Sequence, residues 1–442
     1  MIDSRIFFLK QQTNFSDIIR GSQCRRCVEK SKVEQIIILS HYYNKNKIKW
    51  ERIKYVINVF SKKIIFNMIK ERVVFVNYSK EKINLLEKKM FTYQNINKFL
   101  ITSIGNLVHN SSMFSMKVSN SKLIFLKQIS IEKKQKLIFL NHVDLLSQVE
   151  GVEYQKGIVI SGNRGYFLKK LGLLLNAALI QYSLDFLQKR NFVPIQTPYF
   201  MKKNIMMKCA QLEDFKEQLY CIKEETEKFL IATSEQPISA LHVNQKILKK
   251  NLPIKYAGFS SCFRKESGSH GKDTAGIFRV HQFEKIEQFI ICEREEISSW
   301  VFFQEILKNA RDFYFLLNIP FKVINISSTT FNNTASKKAD VLGWFPASNT
   351  FRELVSCSNC TDFQARNLNI ISDTNFHTKN NKFVYMLNST LCATTRVICC
   401  ILENYQFDKF IHIPRVLKKY MGNSNAHFIN CQDNLLVNKL KL

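Results

Sequence analysis

The chain has 442 residues, 45% of them apolar, enough for two or three domains with a sizeable core, which excludes a wholly disordered protein. Its 65 lysines and arginines against 36 aspartates and glutamates give a net charge of +29, which favours a polyanionic partner such as nucleic acid or an acidic membrane surface. No run of eighteen apolar residues occurs, and Asp3, Arg5, Lys10 and Asp17 interrupt the first turns, so neither a membrane span nor a secretory leader is expected.

Between Gly21 and Gly105 the chain contains neither glycine nor proline, which favours long helices. Ile83, Leu86, Met90, Tyr93, Asn97 and Leu100 follow a 3-4-3-4-3 spacing, and Ile53, Ile57, Phe60, Ile64 and Met68 a similar one. These are the seams of two helices packed as a coiled coil, and a link through Lys70 to Lys80 makes an antiparallel hairpin the simplest arrangement. Residues 1–110 hold 21 basic against 8 acidic residues, a net of +13. Such charge is equally a solvated face or an RNA-binding rod.

The body is expected over 111–421. A helix from Leu168 to Lys189 leads into an extended segment, Phe192 to Pro198. Lys228 to Pro237 reads as a strand that delivers Thr233, Ser234 and Glu235 to its end, where the tripeptide could also cap the next helix. From Phe263 to Glu287, Arg264, Lys265, Lys272, Arg279 and Lys285 alternate with Glu266, Asp273, Glu284 and Glu287 around Gly268, Gly271 and Gly276. A loop of this kind between two strands suits a phosphate-bearing substrate. Its second strand, Ile277 to Ile291, places Phe283, Lys285 and Glu287 on one face and Val280, Gln282 and Glu284 on the other. Glu296 to Leu317 is an amphipathic helix. Glu353 follows Arg352 in Trp344 to Ser356 and could simply pair with it. Met386 to Gln406 reads as strand, turn and apolar helix, with Arg396 near the helix start. A polar tail occupies 422–442.

Twelve cysteines, several in apolar runs, suit reduced thiols in a cytosolic protein. Cys24 with Cys27, and Cys357 with Cys360, have metal-knuckle spacing but no spaced partner pair, and no zinc is expected.

Arg264, Glu266, the glycine-containing loop and Phe278-Arg-Val-His-Gln-Phe-Glu-Lys-Ile-Glu287, in that order, resemble motif 2 of class II aminoacyl-tRNA synthetases, and specifically of the seryl-tRNA synthetases. Residues 168–198 then resemble motif 1, which builds the family's dimer interface, and the segment around Arg396 resembles motif 3. Trp50, the basic second helix and Ser103 to His109 resemble the family's N-terminal arm. The resemblance implies an α+β protein, with a helical hairpin over 1–110 followed by a catalytic domain built on an antiparallel sheet flanked by helices. Cys357-Ser-Asn-Cys360 also occurs in family members without zinc.

The implied activity is ATP-dependent formation of seryl-adenylate and transfer of serine to tRNA(Ser), and to tRNA(Sec) where present, by a cytoplasmic homodimer whose arm grips the tRNA. Arg264 is expected to bridge the α-phosphate and the serine carboxylate, Arg396 to clamp the γ-phosphate, and Glu266 to accept from the adenine amino group. Lys265, Val280, His281, Gln282, Phe283, Leu354, Val355 and Ser356 complete the expected ATP site, with Glu353 holding magnesium. Thr233, Glu235, Glu287, Asn388 and Thr390 form the expected serine pocket, Glu235 for the ammonium and Glu287 for the hydroxyl. The family often has arginine where Ala275 stands. An alternative is a catalytically silent paralogue kept for RNA binding.

Overall fold

The computed structural model describes residues 13–62, 69–102, 104–114, 122–127, 139–209, 218–223, 227–266, 276–373, 382–407, 410–422 and 428–430. They belong to two compact units, Met1–Asn110 with Ser328–Thr334, and Ser111–Ser327 with Ala335–Leu442.

The first unit contains α1 (Thr13–Cys24), α2 (Lys30–Lys62) and α3 (Ile69–Thr102). Asn97 Nδ2 donates to Ser40 Oγ at 2.6 Å, Tyr93 stacks on Tyr42, and Trp50 Nε1 donates to Glu87 Oε1 at 2.9 Å. Residues ascending α2 thus meet residues descending α3, and the pair is antiparallel. Ile83, Leu86, Met90, Tyr93, Asn97 and Leu100 are covered on α3, as their spacing predicts, and Val76 and Ser79 continue the same stripe, because two helices can shield only one stripe of each other. The same register corrects the position of the tip. Lys70 to Lys80 lies in α3 and is not the link between the helices; residues 63–68, between the ends of α2 and α3, lie outside the described residues. No glycine or proline marks the end of α2 or the start of α3. The predicted seam positions Phe60, Ile64 and Met68 lie outside the described side chains. At the base of the hairpin Ile19, Val33, Ile36 and Ile104 form a small core, and Asn106 Nδ2 donates to the Thr334 carbonyl at 2.9 Å.

The second unit is built on eight strands: β1 (Lys122–Lys127), β2 (Val193–Gln196), β3 (Ile254–Phe263), β4 (Gln282–Cys292), β5 (Phe321–Asn325), β6 (Lys337–Phe345), β7 (Thr350–Asn359) and β8 (Tyr385–Ala393). Their order is β1-β5-β6-β7-β8-β4-β3-β2, antiparallel throughout except for the parallel pair β2–β3. Its helices include α4 (His142–Gln148), α5 (Lys170–Gln188), α6 (Glu235–Ala240), α7 (Glu296–Leu316), α8 (Phe363–Leu368) and α9 (Thr394–Asn404). Alternation along β4 sorts the two faces of the sheet. Ile286, Ile290 and Cys292 pack with Leu175 and Leu179 of α5, Phe303 and Phe313 of α7 and Val397 of α9. Phe289 and Ile291 join Ile231, Ile238 and Leu368 on the other side.

Two further expectations are corrected. The second strand of the charged hairpin begins at Gln282, not Ile277. Gly276 turns the chain at φ +76°, where a Cβ would lie 2.8 Å from Val143, and Arg264 N to His281 O (2.9 Å) closes the hairpin just before β4. The expected tail is not unstructured throughout, because Phe428–Asn430 pairs with Phe410–His412. Residues 423–427 and 431–442 lie outside the described set, as do 267–275, which include Gly268, Gly271, Lys272, Asp273 and Ala275.

Candidate active site

The site is assembled on the face of the sheet that carries Phe283, Lys285 and Glu287. Lys285 and Glu287 are two apart on β4 and therefore side by side, both buried, with Lys285 Nζ 2.5 Å from Glu287 Oε2. Thr233 joins them: Lys285 Nζ donates to its Oγ1 at 2.7 Å, and that hydroxyl donates to Glu287 Oε2 at 3.2 Å. A carboxylate this deep needs such partners, and Lys285 supplies the neutralising charge. Thr390 on β8 stands opposite Glu287 and Asn388 opposite Phe289. Asn388 Nδ2 is turned to Cys360 Sγ at 3.4 Å.

Glu235 opens α6, which lies against β3 because residue 258 is glycine. A Cβ there would stand 2.3 Å from Ile238 Cδ1 and 3.0 Å from Ser234 Oγ. Ser234 makes no capping bond with its side chain, but Thr233 Oγ1 accepts from Glu235 N at 3.3 Å, so the tripeptide caps the helix start through Thr233 as well as serving the site. Glu235 Oε1 accepts from Gln364 Nε2 at 2.8 Å. Burial, and then the nearby Glu287, push the Glu235 carboxyl up to about 7, against the opposing pull of Gln364 and Lys285.

The two cations of the flanking hairpin are held differently. Arg264 Nε donates to the Ala232 carbonyl at 3.3 Å, next to Thr233, while its guanidinium lies 5.3 Å from the Phe283 ring centre. Arg279 Nε reaches Glu266 Oε2 at 3.1 Å. At the start of α9, Arg396 Nη1 approaches the Glu353 carbonyl at 3.2 Å and Glu353 Oε1 at 3.5 Å. Arg396 and Arg352 both lie 5.1 Å from the centre of Phe278, so this ring is packed among cations. Burial lowers the Arg396 pKa, Glu353 and Glu266 raise it, and Arg264 and Arg279 lower it, so the three arginines share one field.

Beside Glu353, Ser356 Oγ donates to Asp340 Oδ1 at 2.7 Å across the β6–β7 pair. Asp340 is buried, and burial raises its carboxyl to about 6, with Lys338 opposing and Glu353 adding to the rise. Among the described residues no three acidic, histidine or cysteine side chains converge as a self-sufficient metal cage.

Several predicted residues border this cluster without turning their side chains into it, and His281 Nδ1 lies 2.9 Å from the Arg264 carbonyl. Leu354 and Val355 are core residues, leaving only their main chains for a ligand. Val280 is buried as well. His281 and Gln282 line a second cavity of about 490 Å³ with Tyr166, Asn176 and Glu284, and the Gln282 carbonyl accepts from Tyr166 OH at 2.9 Å. Lys265 N donates to the Gln218 carbonyl at 2.9 Å.

Residues 215–405 match the class II core domain of the tRNA synthetases (G, H, P, S and T). Over 429 residues the chain is 43% identical to the cytoplasmic serine–tRNA ligase of Arabidopsis thaliana, covering 96% of this chain and 95% of that one. The chain belongs to the seryl-tRNA synthetases. Its structure is similar to that of the cytoplasmic serine–tRNA ligase of Naegleria fowleri in complex with AMP, at 39% identity and TM-score 0.90, covering 98% and 99% of the two chains. It is also similar to the seryl-tRNA synthetase of Pyrococcus horikoshii complexed with ATP, at 30% identity and TM-score 0.89, covering 98% and 100%.

Three residues of this synthetase site had no assigned role in the sequence reading. Lys285 was legible as a partner of Glu287 from their i, i+2 spacing on one strand. Gln364 and Asp340 reach Glu235 and Ser356 from remote elements, and their local sequence carries no sign of it.

Proposed function

We propose that the chain activates L-serine with ATP and transfers it to tRNA(Ser), and to tRNA(Sec) where that is present, and that the residues gathered above divide the work. The observation that carries this reading is the buried Thr233–Lys285–Glu287 cluster with Glu235 at its edge. A small zwitterion with a hydroxyl complements it: the ammonium pairs with Glu235, and the hydroxyl donates to Glu287. Alanine would leave Glu287 without the additional donor that the serine hydroxyl supplies, a penalty of roughly 10⁴-fold for a site built to bind a hydroxyl.

In the first step a serine carboxylate oxygen attacks the α-phosphorus of ATP, and the bond to pyrophosphate breaks. No protein nucleophile is needed; in-line placement and neutralised phosphate charge are. Arg264 lies between the serine pocket and Phe283, where its planar fork can bridge the serine carboxylate and the α-phosphate. Arg396 meets the γ-phosphate of a bent ATP, Phe283 packs on adenine, and Glu266 accepts from its amino group. In the second step a ribose hydroxyl of the tRNA 3′ end attacks the seryl carbonyl carbon, and AMP leaves.

The oxygen donors Glu353 and Ser356 would hold magnesium, a hard cation that prefers such ligands. When bound, the ion adds positive charge against the phosphates. Asp340 holds the Ser356 hydroxyl in one orientation. The basic arm over 1–110 fits the phosphates of a tRNA variable arm, which spaced lysines neutralise without reading bases. A homodimer is supported by exposed Leu173 and Leu174 on α5 and Val193 on β2. The relatives named cytoplasmic and the free cysteines support a cytosolic location.

Serine-dependent ATP–pyrophosphate exchange, followed by charging of tRNA(Ser) with and without its variable arm, tests the reading. Charging that weakens when the arm is removed is expected. No exchange with serine would return the chain to the silent-paralogue reading.

A further inference from the structure

A cavity of about 510 Å³ lies at the C-terminal end of α5, on the side of the sheet covered by helices and away from Glu287. Lys189, Arg190, Arg415, Lys418 and Lys419 line it, against a single acid, Asp185. That acid is already engaged: Tyr420 OH donates to Asp185 Oδ2 at 2.7 Å, and Lys419 Nζ stands 3.9 Å away. Arg190 pairs with Asp312 at 3.5 Å, across the Phe186 ring. Lys189, Arg415 and Lys418 are exposed cations at the rim.

The wall is aromatic where the rim is charged. Tyr182, Phe186 and Tyr420 line it, Tyr182 and Tyr420 with ring centres 5.9 Å apart. Tyr182 is 7% exposed, and its hydroxyl has no hydrogen-bond partner. Burial, chiefly, pushes that hydroxyl up to about 12, so it is a neutral donor at working pH.

We propose that this cavity binds a nucleotide, its phosphate on the cations of the rim and its base against the partly exposed ring of Tyr420, supplied either as a free nucleotide or as an unpaired residue of an RNA strand. The volume is that of a site for a whole small molecule, roughly 300–1,000 Å³, and an inorganic anion would leave most of it empty. A carboxylate-bearing peptide would use the charges and have no need of the rings. Stacking on aromatics with phosphates on cations is how unpaired nucleotides are held without reading sequence.

The test uses the full chain, its catalytic site occupied by one equivalent of a non-hydrolysable seryl-adenylate analogue, titrated with uridine 5′-monophosphate in one arm and a fluorescent hexauridylate in the other. Binding in either arm that falls at least about tenfold in Lys189→Ala/Lys418→Ala supports the site, with the slope of log K against log salt for the hexamer falling by roughly 1.4 for two lost contacts. Tyr420→Ala, which removes the partly exposed ring of the wall, should weaken the same binding several-fold and leave pyrophosphate exchange unchanged. Response to the mononucleotide identifies a small-molecule site, and response to the hexamer alone a strand site. Unchanged binding of both probes in the double variant would overturn the proposal. So would a double variant that changes only the sedimentation of the protein, since the cavity would then be covered by a second copy of the chain.

Discussion

The helical arm and the sheet domain use charge in opposite ways. In the arm the lysines stand in water on two helices that bury one stripe, with Ser40–Asn97 as a buried polar contact. In the body Lys285 and Glu287 are buried side by side and fixed by Thr233. A solvated charge recognises a polyanion through number and spacing and tolerates motion. A buried charge must be matched atom by atom, and that requirement makes it selective.

The largest expected effect tests the buried half. Glu287→Gln keeps an acceptor for Lys285 and Thr233 but removes the anion, and should lower kcat/KM for serine in pyrophosphate exchange by up to about 10⁴-fold without loss of helical signal in circular dichroism. A loss under tenfold would remove Glu287 from the serine pocket. Glu287→Ala is a poorer probe, because it strands Lys285 as an unpaired buried charge at a cost of roughly 3–5 kcal/mol.

The solvated half should respond in proportion to the number of charges removed. Replacing Lys45, Lys49, Lys88 and Lys89 of the arm together by alanine should reduce tRNA charging on the order of 10²-fold near physiological salt and flatten its salt dependence, with pyrophosphate exchange unaffected. An equal fall in exchange would show that the arm is not a separate phosphate-binding surface.

A pH series sharpens the contrast further. Glu235 must be ionised to hold an ammonium, and its carboxyl sits at about 7. KM for serine should therefore rise as pH falls through 7, by up to about tenfold per unit, and stay level above it. Glu235→Gln should give a high KM with no such bend. A wild-type KM that is flat from pH 6 to 8 would contradict the assignment.

The smallest effect belongs to the seam of the arm. Asn97→Ala removes one buried hydrogen bond, while Ser40 Oγ keeps its donation to the Ile36 carbonyl at 2.8 Å, so the cost should be about 1 kcal/mol. Faster hydrogen exchange confined to α2 and α3 is expected. Faster exchange in β4 as well would mean that the two units do not unfold independently.

Legibility followed the range of the interaction. Periodicity alone located the seam from Ile83 to Leu100 and the two faces of β4, because the helical and extended repeats are local geometry that any partner must respect. The motif residues Arg264, Glu266, Glu287, Glu353 and Arg396 were readable from their order along the chain. The tip of the arm was not, since a stretch without glycine or proline can reverse at many points. The strand start at Gln282 depended on Gly276 turning against His142 and Val143, residues more than a hundred positions away. Tertiary structure alone placed Gln364 on Glu235 and Asp340 on Ser356, raised the Glu235 carboxyl by burying it near Glu287, and put the cations of α5 and Arg415–Tyr420 around one cavity. Desolvation and pairing depend on what lies opposite a side chain, and a linear sequence does not state what lies opposite.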